Sequence, residues 1–473
     1  MMTQRVFTSK DQLAFAKLSG DHNPLHLDPV LARRLLFGRQ VVHGLHALLW
    51  SLDYHLQSVR QPMELRTAKA NFKAGIGVEQ TLHCRVNLQD EYRVEMQLET
   101  DSTPAAWLEI TWSPLRSHRT VALPKMSPEP EKCRERSRDE LAAASGNIAL
   151  YFNDDLAGEL FPNLISVLPP MQLAALLATT RLVGMECPGH HSIYSSLNLA
   201  FFSDRTGVPT LKYHVADCNK RLALVSMEVE APGMQGQVKA FLRPKPQRQA
   251  AFMDVCRQVE PAEFSAQRAL IVGGSRGLGE VTAKLLAAGG AEVMLTFYRG
   301  EQDAQRIVKE IVSHGAQADC LPLNVLEPSK GLAGKIANRS KPLYLYYFAT
   351  SPIFGADKGK FSSQRFATFS KYYVTGFLRI LQAVADPITD LHKVFYPSSA
   401  AIEELPLDMG EYAAAKMAGE ILCDFLQKAH PGLVIHKPRL PRVATDQTVS
   451  LLPVRNQEPV SVLLGNLRYL RQM

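Results

Sequence analysis

The hydrophobic pattern of the first 115 residues changes from helical to strand-like near Ala68. Before that point, helical spacing predicts helices over Ser9–Leu18, Leu31–Phe37 and Val42–Leu56, and the last is apolar almost all round, as in a buried helix. The strand-like runs that follow are KANFKAGIG (69–77), QTLHCRVNLQ (80–89), YRVEMQLET (92–100) and AAWLEITW (105–112). A buried helix followed by successive strands predicts an α+β fold.

The same order of elements recurs further along the chain. A long apolar helix is predicted over Leu164–Leu182. Strand-like runs come next: SIYSSLNLAFF (192–202), LKYHVADC (211–218), RLALVSMEVEA (221–231) and GQVKAFLRP (236–244). This repetition at low sequence similarity predicts two copies of one α+β fold.

A different pattern begins at Arg268, where RALIVGGSRGLGEVTAKLLAAGGAEVMLTFYRG reads as strand, glycine-rich turn, helix and strand. That order predicts an α/β doubly wound parallel sheet of the Rossmann type. Polar, proline-rich stretches separate the blocks. The predicted organisation is a domain over 1–115, a linker over 116–144, a domain over 145–243, a linker over 244–265 and a domain over 266–473.

Composition narrows the class of protein. The 473 residues are 46% hydrophobic and 21% charged, which excludes a disordered or fibrous chain. The formal net charge of +7 suits an anionic ligand but is too weak and scattered to indicate nucleic acid. The seven cysteines form no CxxC pair, so neither a disulfide framework nor a metal site is predicted. With no signal peptide and no apolar stretch of about 20 residues, we expect a cytoplasmic protein that does not enter a membrane.

The segment SGDHNPLHLDPVLA (19–32) carries the first candidate chemistry. Gly20 and the Asn23-Pro24 pair predict a sharp turn that brings Asp21 close to His26. A carboxylate and an imidazole can hold a water between them, one group moving a proton while the other orients the water. The alternative is that Asp21 caps the following turn and His26 lies at the surface.

GDHNPLH, with Asp28, Ala32 and FGRQVVHG (37–44), resembles the MaoC-like family of (R)-specific enoyl-thioester hydratases and dehydratases, which have a hotdog fold. The resemblance implies that Asp21 and His26 are catalytic and that Asn23 holds the loop and contacts an oxygen. It also implies that Gly44, at the start of the buried helix, polarises the thioester carbonyl.

Two features qualify this resemblance. The chain continues HGLHALLW, with His46 and Ala47 where many members have a small residue and serine, so the pocket shape is expected to differ. The motif does not recur in 145–243, which we interpret as the non-catalytic half of a double hotdog, with His190 and His191 in a turn.

The glycine-rich turn indicates a dinucleotide site. Gly273, Gly277 and Gly279 let the backbone approach a pyrophosphate at the helix N-terminus. Its remaining predicted cofactor-binding residues are Ser275, Arg276 and Leu278. The first acidic residue after the second strand is Glu301, whereas Arg276 and Arg299 lie nearby in sequence and are positively charged. Because a 2′-phosphate needs a cationic partner, this pattern favours NADP(H) over NAD(H). The alternative is that both arginines are only solvated.

Tyr412 and Lys416 are four residues apart, and so share one face of a predicted helix. An ammonium there is expected to lower the pKa of the phenol and make it a proton donor and acceptor. Ser399, 13 residues upstream, strengthens the pattern.

Residues 266–450 resemble the short-chain dehydrogenase/reductase family, among them the 3-oxoacyl-thioester reductases. The resemblance implies that Tyr412 protonates the substrate carbonyl oxygen, Ser399 hydrogen-bonds it, and Lys416 holds the nicotinamide ribose. It places Thr445 at the nicotinamide and Asn324 where an aspartate commonly contacts adenine. Two departures stand out: Tyr347-Phe348-Ala349-Thr350 replaces Asn-Asn-Ala-Gly, and Tyr373 replaces a catalytic asparagine.

Together these motifs predict a bifunctional enzyme: an NADPH-dependent 3-oxoacyl reductase joined to an (R)-3-hydroxyacyl dehydratase or enoyl hydratase. Its substrates would be thioesters of coenzyme A or acyl carrier protein. The alternative is that one module alone is catalytic and the other, more readily the reductase, is a degenerate binding or scaffolding domain. Both folds commonly associate, so a homo-oligomer is compatible with the sequence, which shows no interface.

Overall fold

The computed structural model describes residues 2–101, 103–115, 123–125, 132–203, 207–219, 221–328, 331–336, 340–354, 358–384, 391–451 and 454–473. The chain divides into two compact units. The first comprises Met1–Lys245 with Ser450–Leu452, and the second comprises Pro246–Val449 with Pro453–Met473. Among the described residues, no helix is both long enough and apolar enough to cross a membrane.

The first unit is built on a ten-stranded antiparallel sheet in the order β1-β3-β4-β5-β2-β7-β10-β9-β8-β6. Its strands are β1 Met2–Val6, β2 Met63–Phe72, β3 Thr81–Asp90, β4 Arg93–Thr100, β5 Thr103–Pro114, β6 Ser145–Ala149, β7 Ser192–Phe201, β8 Thr210–Asn219, β9 Leu224–Ala231 and β10 Met234–Leu242. Counted from its outer edge, each half has the same strand order: β1-β3-β4-β5-β2 in the first and β6-β8-β9-β10-β7 in the second. The two halves join where β2 pairs with β7. This confirms the two predicted copies of one α+β fold.

Each half of this unit places a buried helix against the sheet. The helices are α1 Ser9–Ser19, α2 Pro24–Leu27, α3 Pro29–Ala32, α4 Gly44–His55, α5 Arg138–Ala142, α6 Asp154–Leu160, α7 Pro162–Val167 and α8 Pro170–Arg181, with a π-helical segment over Leu182–Glu186 and a 3₁₀ turn over Leu56–Ser58. α4 is buried from Leu45 to Asp53, and α8 from Met171 to Thr180. These two helices and the inner face of the sheet form one hydrophobic core.

Two helix predictions in this unit are wrong. The predicted helix over Leu31–Phe37 is only the single turn of α3, and the chain then leaves the helical conformation, reaching a φ of 63° at Gly38. The predicted helix over Leu164–Leu182 is split into α7 and α8, because the proline ring restricts the preceding residue and cannot donate to a helical hydrogen bond. The break falls at Leu168 and Pro169.

The second unit contains a six-stranded parallel sheet in the order β13-β12-β11-β14-β15-β17. Its strands are β11 Arg268–Val272, β12 Glu292–Phe297, β13 Ala318–Pro322, β14 Leu343–Tyr347, β15 Leu391–Phe395, β16 Ser398–Ser399, β17 Val434–His436 and β18 Arg439–Leu440. β16 and β18 form a separate parallel pair. The strand order confirms the predicted doubly wound Rossmann-type sheet.

Helices cover the faces of this parallel sheet. They are α9 Phe252–Cys256, α10 Gly277–Ala288, α11 Glu301–Val312, α12 Leu332–Ile336, α13 Ser363–Ser370, α14 Phe377–Val384, α15 Ala401–Glu404, α16 Gly410–Ala429 and α17 Pro459–Gln472, with a π-helical segment over Lys371–Gly376 and a 3₁₀ turn over Asp446–Thr448. β11 is buried along its whole length.

The two predicted linkers contain structure. α9 lies within the predicted linker 244–265, and Phe252, Val255 and Phe264 are buried in the core of the second unit. α5 lies near the end of the predicted linker 116–144, much of which falls outside the described residues. The exact limits of the domains therefore stay a prediction.

Replacing a core residue of α4 tests the role of this helix. Leu48 is fully buried, so we expect Leu48→Ala to reduce the free energy of unfolding by about 2–5 kcal/mol, through lost burial and a residual cavity. Urea unfolding followed by tryptophan fluorescence measures the effect in this unit, which holds all three tryptophans of the chain. The matched control is Leu88→Ala, since Leu88 is 38% exposed. Equal effects of the two changes would contradict the packing described.

Candidate active sites

The loop after α1 brings Asp21 and His26 into one site. Gly20 ends the helix with a φ of 74°, in the left-handed region that glycine adopts without strain. Asn23 then caps α2, its Oδ1 accepting a hydrogen bond of 3.1 Å from the Leu25 N–H. As a result, a carboxylate oxygen of Asp21 and a ring nitrogen of His26 lie within 4.8 Å of each other. The alternative that His26 is merely a surface residue is not supported.

The Asp21 carboxylate is buried against the second half of the unit and is only 2% exposed. Thr180 Oγ1 donates to Oδ2 at 2.7 Å, and the Asn23 N–H donates to Oδ1 at 3.2 Å. Gly184 makes room for the carboxylate, because a Cβ at that position would lie 2.1 Å from Oδ1. Burial raises the pKa of Asp21, while the charge of His26 and the Thr180 hydrogen bond oppose that shift.

His26 is oriented by a backbone carbonyl. Its Nδ1 lies 2.9 Å from the Val41 oxygen, which can only accept, so Nδ1 carries the proton and the neutral ring has its lone pair on Nε2. The ring stacks on His43 with centroids 3.8 Å apart. Burial lowers the pKa of His26, with the Asp21 charge opposing. The neutral imidazole is therefore favoured, and it is positioned to accept a proton.

His43 extends this site and was not identified from the sequence. It is fully buried, with Nδ1 at 2.9 Å from Gln12 Oε1 and Nε2 at 3.1 Å from the Asp21 backbone oxygen. Burial holds the pKa of His43 well below its usual range. Gly44 follows as the first residue of α4, whose first-turn N–H groups have no partner within the helix. His46 stacks on Phe15 at 4.5 Å, so it belongs to the core.

Asn23 connects the two halves of the unit. Its Nδ2 donates to the carbonyl oxygens of Gly184 at 2.9 Å and His190 at 3.3 Å. These bonds support the predicted loop-holding role of Asn23. They direct its amide donors at the protein backbone, so a contact with a substrate oxygen gains no support from this geometry. His190 and its neighbour His191 lie in the turn before β7, with ring centroids 4.6 Å apart.

The glycine-rich turn of the second unit forms a close backbone cradle between β11 and α10. Gly273 has a φ of 81°, and a Cβ there would lie 3.0 Å from the backbone nitrogen of Ala349. A Cβ at Gly279 would lie 2.3 Å from the Gly273 oxygen. Larger residues would therefore disrupt the turn at the N-terminus of α10. The residues fit a dinucleotide pyrophosphate, which needs this close approach of backbone.

The remaining predicted cofactor-binding residues surround that turn. Arg276 precedes α10, with Nη1 4.0 Å from Asp446 Oδ2. Thr445 packs against the turn, 3.8 Å from where a Cβ of Gly277 would lie. Ser275 is buried within the turn, and Leu278 packs on the core beneath it.

Two other predicted cofactor-binding residues lie at the ends of strands. Arg299, after β12, is exposed, and its guanidinium carbon lies 5.4 Å from the Tyr298 ring centroid. Asn324, after β13, uses Oδ1 to accept a hydrogen bond of 3.1 Å from the Leu326 N–H. Asn324 therefore shapes the local turn.

Ser399, Tyr412 and Lys416 converge where β16 meets α16. The Ser399 hydroxyl acts on the Tyr412 phenol and lowers its pKa against the effect of burial. Lys416 Nζ donates to the Pro397 oxygen at 2.7 Å and lies 4.0 Å from the Tyr373 ring centroid. Burial lowers the pKa of Lys416 to about 7.

The expected effect of Lys416 on Tyr412 is wrong in this arrangement. Burial raises the pKa of Tyr412 to about 12, opposed by the Ser399 hydrogen bond. The lysine is itself desolvated, and its ammonium faces Pro397 and aromatic rings, so the phenol keeps its proton at neutral pH.

The sequence departures near this site form a buried tyrosine cluster. Tyr373 lies in the π-helical segment between α13 and α14, and its hydroxyl is 2.5 Å from Thr350 Oγ1. The Tyr373 carbonyl accepts a hydrogen bond of 3.0 Å from the Tyr396 hydroxyl. Phe348 packs near Phe395, with centroids 5.8 Å apart. The substituted aromatic residues are thus integrated into the core behind the site.

Comparison with protein families agrees with both motifs. Residues 2–105 match the family described as the MaoC like domain, and residues 267–432 match the short chain dehydrogenases. The chain carries a MaoC-like domain and a short-chain dehydrogenase domain.

Shorter stretches are similar to named proteins. Identity is 40% over 81 residues with the mitochondrial 3-hydroxyacyl-[acyl-carrier-protein] dehydratase of Arabidopsis thaliana, covering 17% of this chain and 41% of that protein. Sequence identity is 51% over 43 residues with the peroxisomal hydratase-dehydrogenase-epimerase of Saccharomyces cerevisiae, covering 9% of this chain and 5% of that protein. Sequence identity is 39% over 62 residues with a 3-oxoacyl-[acyl-carrier-protein] reductase of Synechocystis sp., covering 13% of this chain and 25% of that protein. The matches thus span less than half of each relative.

Titration of Lys416 in the short-chain dehydrogenase domain should affect stability. The folded pKa of about 7 lies below the ordinary 10.5, so between these values the unfolded chain binds more protons and stability rises with pH. The destabilising effect is fully present below pH 7 and is lost as the pH approaches 10.5. We therefore expect the stability of Lys416→Met, relative to the natural chain, to fall from pH 7 to pH 9.5. Urea unfolding followed by circular dichroism measures this difference.

Lys428→Met is the matched control, because Lys428 is exposed near the end of the same helix. Its stability relative to the natural chain should not change with pH over this range. The same pH-dependent difference in both variants would count against a desolvated Lys416.

Proposed function

We propose that the chain is a bifunctional acyl-thioester enzyme that acts at carbon 3 of the acyl group. The MaoC-like domain would interconvert (R)-3-hydroxyacyl and 2-enoyl thioesters, and the short-chain dehydrogenase domain would reduce 3-oxoacyl thioesters with NADPH. The observation that carries the proposal is the Asp21–His26 pair, in which a carboxylate oxygen and a ring nitrogen lie within 4.8 Å of each other. The similarity to a dehydratase and a reductase, each named for acyl-carrier-protein thioesters, supports it.

The geometry supports a division of work between His26 and Asp21. In hydration, His26 Nε2 takes a proton from water as the oxygen attacks carbon 3. That proton passes from His26 to the Asp21 carboxylate, whose proton affinity is increased by burial, and from there to carbon 2. Both groups thereby return to their starting protonation states. Gly44 offers a backbone N–H at the start of α4, where the helix dipole stabilises the enolate oxygen.

The reductase proposal rests on Ser399 and Tyr412. Gly273, Gly277 and Gly279 would hold the dinucleotide, which supplies hydride when bound. Tyr412 retains its proton at neutral pH and can donate it to the carbonyl oxygen, while Ser399 orients the phenol. Arg276 and Arg299 favour a 2′-phosphate and hence NADPH.

The same structure leaves an alternative in which the reductase half only binds. Lys416 is enclosed by tyrosine rings and held by Pro397, and Tyr373 replaces the expected asparagine. NADPH bound without turnover would favour this alternative. For the whole chain we propose the cytosol, because all seven cysteines are free, as a reducing compartment would keep them.

Hydration of crotonyl-CoA tests the MaoC-like domain. We expect Asp21→Asn and His26→Ala each to lower turnover by about 10²–10⁴-fold, since each removes a proton-transfer group. The loss of enoyl-thioester absorbance measures turnover. Asp90→Asn, at an exposed end of β3, should retain the natural rate. Full activity of both site variants would refute the assignment.

Oxidation of NADPH by acetoacetyl-CoA tests the second domain. We expect Tyr412→Phe to abolish the fall in NADPH absorbance and to leave crotonyl-CoA hydration unchanged, because it removes only the proton donor for the carbonyl. Tyr469→Phe is the matched control, because Tyr469 is an exposed residue of α17. The proposal fails if the natural chain binds NADPH but reduces neither coenzyme A nor carrier-protein thioesters.

A further inference from the structure

A buried arginine stands beside the catalytic loop of the MaoC-like domain. Arg243 directly follows β10 and is only 1% exposed. Its backbone N–H donates to the His191 oxygen at 2.7 Å, and its Nη2 donates to the His190 oxygen at 2.5 Å. These bonds fix the guanidinium at the turn before β7.

Among the described residues, no negative charge pairs with the positive charge of Arg243. Within the described parts of the chain, its Nε and Nη1 have no hydrogen-bond partner, and no carboxylate forms an ion pair with it. Burial lowers its pKa to about 10, so it remains charged at neutral pH. The nearby Cys133 does not compensate, because burial raises the pKa of that thiol to about 11. Burial of an unpaired charge raises the free energy of the folded protein, so a buried charge ordinarily has a partner of opposite charge.

The location of Arg243 indicates where that partner would come from. The His190 oxygen that accepts from Arg243 also accepts from Asn23 Nδ2, at 3.3 Å. Asn23 is part of the loop that holds Asp21 and His26, and the positive charge of Arg243 contributes to lowering the pKa of His26. An anion that reached Nε and Nη1 would therefore lie beside the reacting part of a bound thioester.

We propose that Arg243 binds a carboxylate carried by the acyl group, so that the MaoC-like domain takes 2-enoyl and 3-hydroxyacyl thioesters with a carboxylate on the acyl chain. This inference rests on the proposed hydratase function. An unsubstituted alkyl chain would leave the guanidinium unpaired in the complex. A carboxylate supplies both the charge and the acceptors for the two free donors. The growing enolate is a poorer match, since it is charged only transiently and has the Gly44 N–H available.

Hydration of paired substrates tests the proposal on the full chain. The probes are 2-enoyl-CoA thioesters of five, six and seven acyl carbons, each with a terminal carboxylate or with a methyl end. We expect a kcat/KM at least about tenfold higher for the carboxylated member of at least one pair. Arg243→Met should remove that preference by lowering kcat/KM for the carboxylated member alone, and Arg243→Lys should restore part of it.

Lys245→Met is the matched control, because it removes an exposed cation two residues away and should leave the preference intact. No preference for a carboxylate at any length, or an equal loss for both members in Arg243→Met, overturns the proposal. Thermal unfolding of each variant confirms that it is folded.

A binding measurement separates failure of this inference from failure of the proposed function. Saturated acyl-CoA ligands of five, six and seven acyl carbons, with a carboxylate or a methyl end, need no turnover, so each pair can be compared by calorimetry in the Asp21→Asn protein. Tighter binding of the carboxylated ligand in at least one pair, lost in Asp21→Asn with Arg243→Met, supports the carboxylate site even if hydration is absent. Equal binding within all three pairs refutes it even if hydration is observed.

Discussion

The burial of the Asp21 carboxylate against the second half of the first unit is the constraint on which the MaoC-like site depends. Gly184 lacks a side chain, so the carboxylate can lie where a Cβ would be only 2.1 Å from its oxygen. Thr180 supplies one hydrogen bond there. The half that lacks the motif therefore sets the proton affinity of a residue in the half that has it. Both copies of the fold therefore enclose that carboxylate.

The second unit uses burial in a different way. At Tyr412 and Lys416, desolvation favours the neutral form of both groups, raising one pKa and lowering the other. The aromatic rings around Lys416 replace some of its hydration through cation–π contact. Desolvation thus keeps the proton on the Tyr412 phenol at neutral pH.

The sequence predicted those parts of the fold and the site that local patterns encode. α1 and α4 follow from helical spacing, and Asp21 and His26 follow from one short loop motif. The edge strands β1 and β6 were missed because their residues alternate only between partial and full exposure, without a hydrophobic face. Thr180 was missed because it lies 159 residues from Asp21, in a helix whose pattern indicates only burial. Contacts of that kind depend on the pairing of the two halves.

Arg243 illustrates the same limit and bears on the order of the two reactions. In the sequence it is one cation in a basic, proline-rich stretch, and only the fold shows that it is buried beside Asn23. A permanent charge at that place restricts the acyl groups that the MaoC-like domain accepts. In the proposed reductase, Tyr412 and Ser399 would contact only the carbonyl group of the substrate and so would add no such restriction. If reduction precedes dehydration, substrate selection by Arg243 therefore acts on the second step, after the 3-hydroxyl group has been formed.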